Sequence, residues 1–541
     1  MNEAPALSAT KPARTAAPPF LAEYSWDKIG LIAVVCCLVL LDGINGALVS
    51  TLRPYLMGSF AATPDQITWV AILYYVAKFY MLLLAARAQE RFGQRRSLLF
   101  ASVVLVLATA GGSLVTNYPS LLAITISQGI GGGLMIALGQ GALLAAFPRR
   151  EQSLVQCAFA LAVVMFPATI VPALLGGFAY NYDWQDAYAW ITVCGLIGCG
   201  WLFWKQEILS DISVSSPVPV VRIILMVTSL FAIVYVLQQG NRNAWLECPS
   251  IVWSLLLAAA CLLGIGFAES NGGPTYLRYH CFQFANFTFG LSVSLLAGIA
   301  LFGSGFVIPG FTGGILAYPV WQTGLVQLFA AAFTTLSLLI VGIAVRFAKI
   351  PGILFVPCGL ILFGFAMWKL GEVPSNVHFE GLLPWLMVRG FAVGCLFLPL
   401  TLMTLTGLPP IDDVAGAGLF NFGRQLGALV GVAWMQTLNE HLTDRNQTVL
   451  GEALSWANPN ALIFVQNAQD ALVLHGTTSS QAPATAVALM LQEAQRQMSS
   501  VAYSGCFQAL AMLFLFSFPI LVLGRVLTAR FLKPPYEAGS H

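Results

Sequence analysis

Four ionisable side chains, Asp42, Lys78, Arg389 and Arg424, stand inside runs that are otherwise apolar. At mid-bilayer such a group costs roughly 2.5–3.5 kcal/mol on insertion scales, so it faces a bundle interior and has a partner or a task. One acid among three bases makes proton exchange at the acid the natural chemistry. Burial favours the neutral carboxyl, and a neighbouring cation favours the carboxylate. Asp42 beside a base therefore suits proton coupling, taking up a proton in one state and releasing it in another. Lys78 is the expected neighbour. Counted from the outer ends of their segments, Asp42 lies about 7 residues deep and Lys78 about 11. At about 1.5 Å per residue the offset is about 6 Å, which a lysine stem spans.

Tyr74 and Tyr75 fall within a helical turn of Lys78, and with it they offer a lining for an aromatic or amphipathic anion. Three bases against one acid disfavour a cationic solute and favour an organic acid. Arg389 and Arg424 are further candidates for substrate contact. A purely structural ion pair is the alternative for Asp42 and Lys78, and bracing of the bundle is the alternative for Arg424.

The elements that hold these groups follow from composition. The chain has 541 residues, 58% hydrophobic and 9% charged, with mean hydropathy +0.79. A soluble chain carries about 25% charged residues, so this is an all-α polytopic membrane protein embedded in a lipid bilayer. Apolar windows long enough to span fall near 29–50, 67–87, 97–117, 120–146, 153–179, 187–204, 219–238, 250–268, 287–308, 322–345, 351–369, 382–406, 414–437 and 501–524, fourteen in all. An even number puts both termini on one side. With the N-terminus inside, seventeen Lys/Arg lie in or beside inner segments and five in outer ones. That asymmetry places both termini in the cytoplasm.

The organisation that follows is a cytoplasmic tail over 1–27, which has no signal-peptide apolar region, and a six-helix half over 28–206. A linker with two extra helices covers 207–284, and a second six-helix half covers 285–526. This second half includes a polar periplasmic loop, 438–500, expected to hold helical pieces, and a tail over 527–541 follows. "NQT" at 446–448 resembles a glycosylation sequon and carries little weight in a chain of bacterial inner-membrane type. Two basic turns, "ERFGQRRSLLF" at 90–100 and "VRFAKIPGILF" at 345–355, form a weak internal repeat placing the halves in pseudo-symmetric register.

Several functions are disfavoured. A net charge of +2 gives no concentrated basic surface for nucleic acid. The cysteines lie mostly in apolar runs without metal-type spacing, so no metal is expected. All five histidines fall in loops or tails, and no HExxH, GxSxG or Walker-type stretch occurs. An embedded enzyme and an ATP-driven pump are both disfavoured, and no cofactor is expected beyond the proton gradient. Glycine and proline crowd "QGIGGG" (128–133) and "FPATIVPALLGG" (166–177), as close packing and bending in alternating access require.

These stretches carry a family resemblance. "ERFGQRR" resembles the cytoplasmic loop signature of the major facilitator superfamily, with Arg91, Gly93, Arg95 and Arg96 matching and Glu90 in place of Asp. "FPATIVPALLGG" resembles the fifth-helix antiporter signature, where Pro167 lies in the matching stretch. Pro172, Gly176 and Gly177 match directly, and Val171 replaces the usual Gly. "LDGINGALVSTLRP" (41–54), "FLPLTLMTLTGLPP" and "NFGRQLGALVG" (421–431) are similar to motifs of the fourteen-span drug:proton antiporters of the EmrB/QacA type. The resemblance implies two six-helix halves plus two extra central helices, a conformational gate at Glu90–Arg96, and export of a small amphipathic compound by proton antiport. It also implies, in cells with an outer membrane, a periplasmic adaptor and an outer-membrane channel. Val171 leaves proton-coupled import of an organic anion as an alternative, with a non-transporting sensor or scaffold behind it. The family's usual fourth-helix arginine is absent, since "ITISQG" puts Thr125 there. Lys78 is read as the relocated positive charge.

Overall fold

The computed structural model describes residues 26–171, 174, 183–205, 219–270, 278–451, 459–474, 478 and 480–534. Pro172, Gly176 and Gly177 lie outside the described residues, as do most of the N-terminal tail and part of the C-terminal one.

The helices, in chain order, are α1 (Trp26–Thr51), α2 (Pro64–Phe92), α3 (Gln94–Gly112), α4 (Tyr118–Ala146) and α5. This last is built of Gln152–Ala160 and a π-helical run, Leu161–Ile170. Then come α6 (Trp184–Trp204), α7 (Val220–Gln239), α8 (Pro249–Ser270), α9 (Ala285–Ile315), α10 (Val320–Phe347), α11 (Phe355–Gly371), α12 (Phe379–Leu405), α13 (Asp413–Gly451), α14 (Pro459–Leu474) and α15 (Ala482–Phe531). Twelve described helices are long and apolar enough to cross a membrane. The other two of the fourteen windows fall on α5, which runs to the edge of the described residues, and α13. Asn421, Arg424, Gln425 and repeated glycines dilute the apolarity of α13.

Local chemistry sets the boundaries. Thr63 and Gln66 form a capping box at the start of α2, with Pro64 in its first turn. Asn117 Oδ1 accepts from Ser120 N at 2.9 Å to cap α4. Gly93 joins α2 to α3 at φ 83° and ψ 158°, a region that is essentially glycine-only.

Helices α1–α6 pack as one half, and α9–α13 with α15 as the other. They meet where α13 lies on α2 and α4, and where α5 lies on α10 and α12. The extra pair sits outside this seam. Helix α7 stacks Phe231 and Tyr235 on Trp69 of α2, at 6.0 and 5.7 Å between ring centroids, and α8 packs on α7. Exposed Trp253, Leu263 and Phe267 of α8 face outward, as a lipid-facing surface does.

The polar stretch 438–500 is less a loop than the continuation of two spans. Helix α13 runs on to Gly451 and α15 starts at Ala482, with α14 packed on α15 through Val465, Ala486 and Met490. Asn446 of the sequon-like triplet donates to the Met498 carbonyl at 3.0 Å.

Candidate functional site

The centre of the first half is a charged triad. Lys78 Nζ lies 2.6 Å from Asp42 Oδ2. Tyr74 donates its hydroxyl to Asp42 Oδ1 at 2.8 Å and accepts from Lys78 Nζ at 3.1 Å. Asp42 is 1% exposed and Lys78 6%. Few contacts in a low-dielectric interior are stronger, and removing one partner from such a pair is strongly destabilising, at about 3–5 kcal/mol. Helix α4 supplies the room. A side chain at Gly132 would collide with the Asp42 carboxylate, and one at Gly133 with the Lys78 carbonyl. Thr125 is buried and turns its hydroxyl to its own helix at Leu121 O, 2.7 Å. Pro167 of α5 packs against Gly43, so the π-helical turn touches α1 one residue from Asp42.

Tyr75 joins the triad through ring contacts alone, 5.3 Å to Tyr74 and 5.8 Å to Phe79, and Phe79 meets Phe422 of α13 at 5.2 Å. The two arginines lie apart from the triad, in the second half. Arg389 is 2% exposed. It donates to Ser304 Oγ at 2.8 Å and to Leu301 O at 3.3 Å, clamping a π-helical turn of α9. Arg424, 4% exposed, donates to Asn421 Oδ1 and lies 5.6 Å from the rings of Phe397 and Phe420. Neither has a carboxylate partner among the described residues.

Arg424 heads a polar chain that sequence reasoning did not single out. Because it donates to Asn421 Oδ1, the Asn421 amide must face the other way, and Nδ2 donates to Gln140 Oε1 at 2.6 Å. Gln140 Nε2 then donates to Gln156 Oε1 at 2.8 Å, leaving Gln156 Nε2 without a partner. All four side chains are buried, and the Asn421–Gln140 bond crosses the seam between the halves. Amides are unremarkable in an apolar run. Only the fold, which sets positions 140 and 421 side by side, makes them a chain.

At the basic end of the bundle, two ion-pair clasps join the halves. Glu90 pairs with Arg87 on its own helix (2.9 Å) and with Arg278, from the segment before α9, which also holds Asp412 at 2.9 Å. His280 Nδ1 lies 2.8 Å from the other Asp412 oxygen. Opposite, Arg346 pairs with Glu151 at 2.8 Å. The repeated turns thus hold equivalent places. The α2–α3 turn meets the α12–α13 turn through Arg278, and the α10–α11 turn meets the α4–α5 turn directly. The partner of Glu90 across the seam is Arg278. Arg91 lies over the ring of Phe92, at 5.4 Å, and Arg95 and Arg96 stand in the first turn of α3. Asp413, one residue ahead of the α13 span, has its carboxyl pushed up to about 7, chiefly by burial, with Arg149 opposing and Asp412 adding to the shift. It changes charge near neutral pH at this seam.

Gly93→Leu tests whether the turn is more than a topology signal. A side chain at φ 83° costs of order 1–3 kcal/mol and tilts Glu90 away from Arg278. Transport is expected to fall by about tenfold or more at unchanged membrane abundance. Wild-type turnover would demote the turn.

Residues 35–432 match the profile of the Major Facilitator Superfamily. The chain is 26% identical over 430 residues to the multidrug export protein EmrB of Haemophilus influenzae, covering 78% of this chain and 82% of that protein. It is 25% identical over 419 residues to the fatty acid resistance protein FarB of Neisseria gonorrhoeae, covering 77% and 82%. In fold it is similar to the crystal structure of the human organic anion transporter MFSD10 (TETRAN), with TM-score 0.54 over 90% of this chain and 99% of that one, at 13% identity. With two helical halves meeting along a seam and the superfamily profile matching most of that span, the chain belongs to the major facilitator superfamily and is similar, over most of its length, to the EmrB-type export proteins within it.

Proposed function

We propose that the protein is a proton-coupled antiporter that exports amphipathic organic acids across a bacterial inner membrane. The observation that carries this reading is the charge inventory of the spans. The single carboxylate of the spans, Asp42, is buried against Lys78 and Tyr74, while Arg389 and Arg424 bond to neutral partners and have no acid beside them among the described residues. A buried guanidinium without a counter-charge attracts an anion, and the anion a fatty-acid-like solute supplies is a carboxylate. Similarity to a multidrug exporter and to a fatty acid resistance protein supports export and an amphipathic solute.

In this reading the basic end, with both termini, faces the cytoplasm, and the clasps hold the state closed to that side. Proton arrival at Asp42 from the outside releases Lys78, and the released cation, with Tyr74, Tyr75 and Arg424, alters the hold on the solute. No cofactor takes part; the proton gradient supplies the energy. The helical extension of α13, α14 and α15 is the surface that would meet a periplasmic adaptor, and through it an outer-membrane channel.

Transport of a radiolabelled long-chain fatty acid into inside-out vesicles tests this. An acidic interior is expected to drive accumulation that a protonophore collapses. Accumulation only in right-side-out vesicles would mean import. Transport of lipophilic cations with no response to acids would remove the anion reading.

A further inference from the structure

A cavity of about 770 Å³ opens between the halves at the basic end, away from the Asp42–Lys78 pair. Its wall includes Arg149, Arg150 and Ser153 from the first half and Asn286, Arg346 and Lys349 from the second. Four cations line it and no acidic side chain does. Arg346 is matched by Glu151 and Arg149 by the field of Asp413, but Arg150 and Lys349 form no ion pair among the described residues. Lys349 is held in the left-handed region at φ 52°, a conformation lysine rarely adopts. Ser153 Oγ, in a residue 3% exposed, has no hydrogen-bond partner, and neither has Asn286 Oδ1.

Apart from Thr406, whose hydroxyl donates to the Leu402 carbonyl, the rest of the wall is apolar. Leu402 and Met403 line it, and Phe347, 64% exposed, stands at the end of α10. Cations beside apolar surface match an amphiphile with an anionic head. A phosphodiester supplies several acceptor oxygens for the arginines, the lysine and the Ser153 hydroxyl. A hydroxyl-bearing head group adds a donor for Asn286 Oδ1.

We infer that this cavity binds the phosphate-bearing head group of an anionic phospholipid of the inner leaflet. Basic pockets between membrane helices on that side are suited to such head groups. Because the lining comes from both halves, the lipid binds the arrangement closed at the basic end better than one in which the halves part there. A ligand with that preference shifts the population toward the closed state. The proposal holds whichever solute is carried and whichever way it moves.

Purified protein is assayed by native mass spectrometry after exchange into mixed phosphatidylglycerol and phosphatidylcholine, alongside the double variant Arg150→Gln/Lys349→Gln. Both changed side chains are exposed and unpaired, so the fold is kept. Each cation at an anionic surface is worth about fivefold in binding, so the variant should lose roughly 25-fold in phosphatidylglycerol preference. Spin labels across the basic end should report more of the closed state in phosphatidylglycerol vesicles than in phosphatidylcholine vesicles, and no such difference in the variant. Equal lipid preference in wild type and variant overturns the proposal. Displacement of the lipid by millimolar inorganic phosphate overturns the lipid assignment and makes the cavity a site for free phosphate.

Discussion

Asp42→Asn is expected to reduce proton-driven accumulation to the level of vesicles without the protein, while downhill exchange of substrate persists. The amide keeps the shape that fits against Gly132 and still accepts from Tyr74, so the packing around the site is retained. What it loses is a group that can bind and release a proton in the working pH range. Asp42 is the only carboxylate in any span, and nothing else at that depth can stand in for it. One complication is physical: the substitution leaves Lys78 as a buried cation without its counter-charge, and breaking such a pair from one side costs about 3–5 kcal/mol. The double variant Asp42→Asn/Lys78→Met separates the two effects. Replacing both members of a buried pair by neutral groups of similar volume is often close to neutral in stability. The double variant should therefore recover thermal stability and still fail to couple. Gradient-driven accumulation at the wild-type level in either variant would move the coupling site elsewhere.

The pair itself was legible because two quantities sufficed. Helix rise gave the depths of Asp42 and Lys78, and the expense of an unpaired mid-membrane charge required a partner. The glycine run 128–133 announced close packing, but not that α4 would press on both α1 and α2 at the charged residues. That depends on which helices are neighbours. The Glu90–Arg278 clasp was half legible. Glu90 stood in a motif, whereas Arg278 lies 188 residues away, in a segment whose charge looked like a topology signal only. The amide chain from Gln140 to Asn421 left no trace in the sequence, since an uncharged amide in an apolar run has no energetic signature until a partner is assigned. The stretch 438–500, expected as a polar loop holding helical pieces, carries the continuation of α13, helix α14 and the start of α15, because its Gln, Asn and Ala residues tolerate a helix.

Lys78→Ala is expected to cut transport by more than about 100-fold, with Lys78→Arg retaining part of it. The alanine removes the cation that pairs with Asp42. The loss of about 3–5 kcal/mol from a one-sided break corresponds to a population shift of hundreds-fold or more, unless Asp42 keeps a proton throughout the cycle. In either case the carboxyl stops alternating between charged and neutral forms, and the cycle stalls. The backbone cannot compensate, because the α2 carbonyl at Lys78 is already in contact distance of Gly133 and the helix has no room to shift inward. Arginine restores the charge but not the shape. Its planar guanidinium needs a fork of acceptors, and the site offers one carboxylate oxygen and the Tyr74 hydroxyl. Partial rather than full activity is the consequence. A structural role alone predicts a different pattern: Lys78→Ala would lower thermal stability, and the molecules that remained folded would transport at the wild-type rate. Measuring turnover per folded molecule, with accumulation of a fatty acid and of a lipophilic cation side by side, separates the two. If Lys78→Ala transports acids normally once corrected for folded protein, Lys78 is a structural partner of Asp42 and the anion preference must rest on Arg424.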